Sequence, residues 1–204
     1  MSHPTKTEPA SATLEQMSLA ELFEKELCIP DYQRCYAWAS AHVTDLVMDL
    51  AKRDVSYLLG TIILHEQKNG IALDVVDGQQ RLVTLTILMN EVLPSANMPL
   101  LEKEFYKSSM GAIKEAQKTI KNSLASLDAH EYEQLKNILS KTKGGLLFSV
   151  VTVAEDSLEL AFSFFDSVNS KGLRLSDFDL LKAHHLMYIP ADQEALAIRH
   201  NGHW

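Results

Sequence analysis

The chain has 204 residues, a formal net charge of −8, 46% hydrophobic residues and 23% charged ones. That length holds one large domain whose core needs no disulfide or metal staple, and the composition excludes wholesale disorder. The acidic balance excludes a uniformly basic nucleic-acid surface, and the longest apolar runs, Leu58 to Leu64 and Leu146 to Ala154, fall far short of the roughly 20 residues of a membrane helix.

Residues 1–13 are polar, rich in Pro and Thr, and read as an untethered tail with no signal-peptide core. Ser18-Leu19-Ala20-Glu21 has the form of a capping box, opening a short helix to about Glu26. Leu27 to Pro30 reads as extended. Cys28 and Cys35 form neither CxxC nor a four-ligand zinc pattern, and are simplest as two reduced thiols of a cytoplasmic protein. Ser40 is suited to cap a second helix, where Val43, Leu46, Val47 and Leu50 make an apolar stripe.

Tyr57 to Glu66 and Ile71 to Val76 are β-rich runs. Between them Lys68-Asn69-Gly70 carries the Asn-Gly hairpin signal. The second run enters Asp77-Gly78-Gln79-Gln80-Arg81, and a helix follows with Leu82, Leu85, Leu88 and Met89 on one side. Pro94 to Lys143 reads as helical. Leu146 to Val153 is a third β run. Asp156 to Glu159 caps another helix carrying Leu160, Phe164 and Val168, and Gly172 suits its left-handed end. Ser176 opens a last helix, Asp177 to Tyr188, stopped by Pro190.

Charge is uneven along the chain. Residues 1–100 hold 7 basic and 13 acidic side chains, residues 101–143 hold 8 and 6, and residues 144–204 hold 4 and 8. Only the helical middle is positive. There Lys107, Lys114, Lys118 and Lys121 share one side of a continuous helix. They are the candidates for DNA-phosphate contact, against the plainer reading of a solvated helix side.

Three stretches could carry chemistry. The first is Asp77 to Arg81. A strand ends, Gly78 permits close backbone approach, and a helix begins whose N–H groups and partial positive charge suit phosphate. Arg81 adds a bidentate fork, Gln79 and Gln80 add neutral donors, and Asp77 can cap the helix or accept from a hydroxyl or a metal-bound water. The plainer reading is a well-capped turn. The second stretch is Ile29-Pro30-Asp31-Tyr32-Gln33-Arg34-Cys35-Tyr36-Ala37-Trp38. Its aromatics can stack a base and Arg34 can pair with phosphate; equally, Tyr36 and Trp38 can anchor the loop in the core. The third runs from Phe165 to Ser176 with Asp179 to Ala183 after it. Asn169 and Gly172 suit a polar turn, and Lys182 can reach back toward phosphate. His184, His185, His200 and His203 lack a carboxylate-rich metal pattern, so no metal site is assigned.

Read together and in order, IPDYQRCYAW from Ile29, DGQQRLVTL from Asp77 and FDSVNSKGLRLSDFDLLKA from Phe165 closely resemble the signature of the N-terminal domain of GmrSD-type restriction endonucleases. The resemblance spans about residues 18–188. It implies an α+β fold of the ParB and sulfiredoxin group: a small mixed sheet with surrounding helices and a helical insertion at about 95–143. The expected division is a tail at 1–13, the domain at 14–190 and a truncated C-terminal helix or tail at 191–204.

The resemblance further implies binding of an NTP with Mg²⁺, and hydrolysis at Asp77, Gly78, Gln79, Gln80 and Arg81. Tyr32, Gln33 and Arg34 would line the same pocket or touch DNA, with Asn169, Gly172 and Lys182 closing it. The implied context is bacterial defence against phage or modified DNA. The expected partners are a nucleotide, DNA and a C-terminal nuclease domain or subunit, with homo-oligomerisation left open and no membrane. Related proteins continue into an HNH-type nuclease, so cleavage is not expected from this chain alone. A sulfiredoxin-like redox role would need a cysteine in the phosphate turn, and none stands between Asp77 and Arg81. The alternative to an NTPase is a non-enzymatic module that reads DNA or a partner.

Overall fold

The computed structural model describes residues 12–30, 33–68, 70–94, 100, 107–141 and 144–169. In chain order the elements are β1 (Ala12–Ser18), α1 (Leu19–Phe23), β2 (Glu26–Cys28), α2 (Ser40–Ala51), β3 (Tyr57–Glu66), β4 (Ala72–Asp77), α3 (Gln79–Val92), α4 (Lys107–Ser126), α5 (Ala129–Ser140), β5 (Leu146–Val153) and α6 (Leu158–Asn169). A short 3-10 turn, Glu155–Ser157, leads into α6.

The strands form one mixed sheet in the order β1-β5-β3-β4-β2. β1 runs antiparallel to β5, β5 parallel to β3, β3 antiparallel to β4, and β4 parallel to β2. The β3–β4 hairpin turns where the Asn-Gly signal placed it, with Gly70 at φ 64° and its N–H donating to Gln67 O at 2.8 Å. The fold is thus a mixed sheet with surrounding helices.

Strand residues alternate between the two sides of the sheet, and the core divides accordingly. Ile62, Leu64, Val75, Phe148 and Val150 belong to the larger cluster, with Leu22 of α1, Val47 of α2, Leu85 of α3, Ile120 of α4 and Leu139 of α5. Ile63, Val76 and Val153 join Ala161 of α6 in a smaller one. The positive helical middle is therefore part of the main core through Ala116, Ile120, Leu135, Ile138 and Leu139. Burying a side chain such as Leu or Ile contributes about 1.5–3 kcal/mol, so these helices help hold the fold and do not merely decorate it.

Some local expectations change. The Ser18 capping box is present: Glu21 N–H donates to Ser18 Oγ at 3.2 Å, and Ser18 N–H to the Glu21 carboxylate at 2.8 Å. But β1 begins at Ala12, inside what reads as tail, because an exposed edge strand needs little apolar patterning. Helix α2 has Ala39 at its N-cap, with Ser40 as its first residue and no side-chain cap bond. The expected helix 177–188, together with Tyr32, Gly172, Lys182 and the four C-terminal histidines, lies outside the described residues. Among the described residues, no helix is long and apolar enough to cross a membrane.

Candidate functional site at the β4–α3 turn

Gly78 is the hinge of the turn. It is the N-cap of α3 at φ 96°, a left-handed conformation that glycine adopts at little cost. A Cβ there would also overlap the side chain of Ile62. The strand can therefore pass into the helix at once, which places Asp77 on the last strand position and Arg81 on the first turn.

Asp77 does not cap α3, since the N-cap is Gly78 and no side chain closes it. Its carboxylate accepts from the Gly78 N–H and faces Arg81 Nη2 at 3.7 Å. Burial pushes the Asp77 carboxyl above the ordinary aspartate value; Arg81, the Gly78 N–H and Arg34 pull it back without cancelling that effect. Burial likewise draws the Arg81 guanidinium down, with Asp77 opposing; it remains a cation at neutral pH.

Arg81 is held from a second direction. Its Nη2 donates to Thr61 O of β3 at 2.9 Å. Its Nη1 lies over Gly60, where a Cβ would stand 2.5 Å away. Gly60 is at φ 138°, beside a register shift in β3. The Gly60–Arg81 approach is a site feature that sequence reading missed. Its signal was a glycine inside a strand pattern, which marks a bulge or a close approach.

The second stretch docks on this turn. Gln33 Nε2 donates to Val76 O at 2.7 Å and Val75 O at 3.1 Å. Gln79 Nε2 donates to Arg34 O at 3.0 Å. Gln80 accepts from Ala37 N–H at 2.8 Å and donates to Cys35 O at 3.3 Å. Tyr36 is buried, its hydroxyl paired with Thr84 Oγ1 at 2.8 Å, and its N–H donates to Ser109 Oγ at 3.0 Å. Tyr36 is thus an anchor and not a stacking platform; burial raises its phenol against the pull of Thr84. Trp38 packs against the core, with its ring centroid 6.0 Å from that of His42.

Arg34 is exposed and, with Arg81, acts on Asp77. Arg81 thus pairs with the Asp77 carboxyl directly, while Arg34, from a different motif, adds a weaker pull on it. The glutamines fall differently from the sequence expectation: Gln80 spends its acceptor and a donor on the loop backbone. Gln79 is buried and keeps its Oε1 without a hydrogen-bond partner. Its orientation follows from the network, because a flipped amide would set that oxygen against Arg34 O.

Among the described residues, no group of three or more His, Cys, Asp or Glu side chains could hold a metal ion. Asn169 ends α6, as far as its backbone is described. Lys107 opens α4; Lys114, Lys118 and Lys121 are exposed along it, and Lys121 Nζ lies 3.6 Å from Glu91 Oε1. A cleft of about 230 Å³ between the α2–β3 connection and α5 is lined by Arg53, His130, Asn137 and Lys141 among others, and by none of the residues selected from sequence.

Comparison with known families adds one finding. The family model of the GmrSD restriction endonuclease N-terminal domain matches residues 19–186, most of the chain and all three motif stretches. No curated protein matches.

Proposed function

Because the chain belongs to the family of the GmrSD restriction endonuclease N-terminal domain, we propose that it is the nucleotide-binding and NTP-hydrolysing sensor of a restriction system directed at phage or modified DNA. The observation that carries this reading is the partly buried Asp77 carboxyl, 3.7 Å from Arg81 at the head of a helix, with the Arg34 loop docked on the same turn. Phosphoryl transfer to water asks the protein for position and charge neutralisation more than for covalent chemistry.

In this reading the exposed Arg34 captures the terminal phosphate and Arg81, fixed by Thr61, supports the site from the strand side. The first N–H groups of α3 add donors. Asp77, raised by burial, accepts a proton from the attacking water. The unpartnered Gln79 Oε1 accepts that water's other hydrogen. Bound Mg²⁺ would neutralise phosphate charge. Phosphate oxygens and waters would supply its ligands. The family resemblance would add Tyr32, Asn169, Gly172 and Lys182 as further nucleotide-binding residues.

Titration calorimetry of each common NTP with Mg²⁺ tests this reading. Binding by wild type and at least tenfold weaker binding by Arg34→Ala is the expected result, a loss of about 1.4 kcal/mol or more for one charge-assisted phosphate contact. A folded protein that neither binds nor hydrolyses any NTP, with DNA supplied, would overturn it.

A second reading keeps the exposed Lys114, Lys118 and Lys121 in view. Here the domain contacts DNA phosphates through α4, without sequence preference and without catalysis. Its mark is a log affinity that falls with log salt.

A further inference from the structure

We propose that Gln80 and Gln33 are positioning residues: they clamp the 33–37 loop onto β4 and α3, and so fix the backbone from which Arg34 extends beside the β4–α3 turn. The inference deepens the nucleotide-site reading and rests on it for its binding arm. It reassigns two residues that their type alone would send to a phosphate or a water.

Arg34 is exposed, and a long exposed side chain finds a fixed place only if its backbone is fixed. The backbone on both sides of it is held. Upstream, Gln33 donates to two successive carbonyls of β4, Val75 O and Val76 O, immediately before Asp77. Downstream, Gln80 grips Cys35 O and Ala37 N–H, the two residues that flank buried Tyr36. Tyr36 then bonds Thr84, one turn further along α3, and Thr84 Oγ1 also donates back to Gln80 O at 2.8 Å.

A primary amide suits this task, because one side chain supplies both a donor and an acceptor to a strip of backbone. No aliphatic residue of the same length can do so. With its acceptor and a donor committed to backbone, Gln80 has little left for a ligand; it acts through Arg34. Gln79 differs, because its acceptor has no protein partner.

The test is a double-mutant cycle on the full chain, with Gln80→Met and Arg34→Ala, read in two ways. The first reading is Mg²⁺–NTP affinity. Gln80→Met should weaken binding by about tenfold, and the double variant should bind no worse than Arg34→Ala alone, as coupled residues do. The second is the titration of the Asp77 carboxyl by NMR, which needs no nucleotide. Loss of Arg34 should move its midpoint upward, and Gln80→Met should move it the same way.

Gln33→Met, which frees the loop from its other end, serves as the second variant if Gln80→Met does not fold, and should reproduce both results. Losses that multiply in the double variant, or an Asp77 midpoint that stays at the wild-type value in both glutamine variants, would overturn the inference. If no NTP binds to wild type, the nucleotide reading fails, and the Asp77 titration still decides the clamp.

Discussion

The β4–α3 turn and the lysine side of α4 carry positive charge in opposite ways. At the turn, Arg81 is only 24% exposed, bonded to Thr61 O, and set against a carboxyl that is 17% exposed. On α4, Lys121 is 59% exposed and meets Glu91 only loosely at 3.6 Å. The first arrangement has met its desolvation and ordering costs during folding; the second would meet them on each encounter. A built site can discriminate shape and bond direction, whereas an exposed lysine row reads charge density alone.

The comparison breaks most readily at Gly78. Gly78→Ala combines a left-handed backbone with an overlap on Ile62. It should cost about 2–6 kcal/mol, since each effect separately costs about 1–3 kcal/mol. Denaturant unfolding would show it as a lower midpoint at constant slope. An Ala variant as stable as wild type would mean that the turn is not under this constraint.

Arg34→Ala comes next. Its side chain is exposed, so thermal stability should hold within about 0.5 kcal/mol. Nucleotide binding should fall tenfold or more, separating the site from the scaffold.

Asp77→Asn should move activity and stability in opposite directions. The Asp77 carboxyl is raised above its ordinary value of 3.8 in the fold. Folding therefore favours its protonated form. That contribution is full below the unfolded value and is lost as pH rises through the folded value. The Asn variant should have a higher Tm than wild type at neutral pH, a flatter acid-side stability profile, and no hydrolysis. A variant less stable than wild type at pH 7 would show that pairing with Arg81 and Arg34 outweighs burial.

The smallest effect per residue belongs to α4. Replacing Lys114, Lys118 and Lys121 by Ala should leave NTP affinity within about twofold, because none of them contacts the β4–α3 turn and exposed charges are screened by salt. If that side contacts DNA, the slope of log affinity against log salt should shrink by about 0.9 for each lost phosphate contact. An unchanged slope would leave the lysines as a solvated helix side.

Much of the frame was legible in the sequence. β-Branched runs around Asn-Gly announced the hairpin, and Ser18 with Glu21 announced α1, because both signals are local. Strand β1 was not legible: five exposed residues at a sheet edge leave no hydrophobic alternation to read. The site was legible in residue types and hidden in directions. Composition places Gln80 beside Arg81, but only tertiary packing turns its amide toward Cys35 and Ala37. For the same reason Tyr36 stayed undecided between base and core until Thr84 and Ser109 appeared beside it.

Gly60 belongs to none of the three motif stretches, yet a methyl group there would stand 2.5 Å from Arg81 Nη1. Any side chain at that strand position would therefore push the Arg81 guanidinium from its place beside Thr61 O, with every residue of the three motifs unchanged.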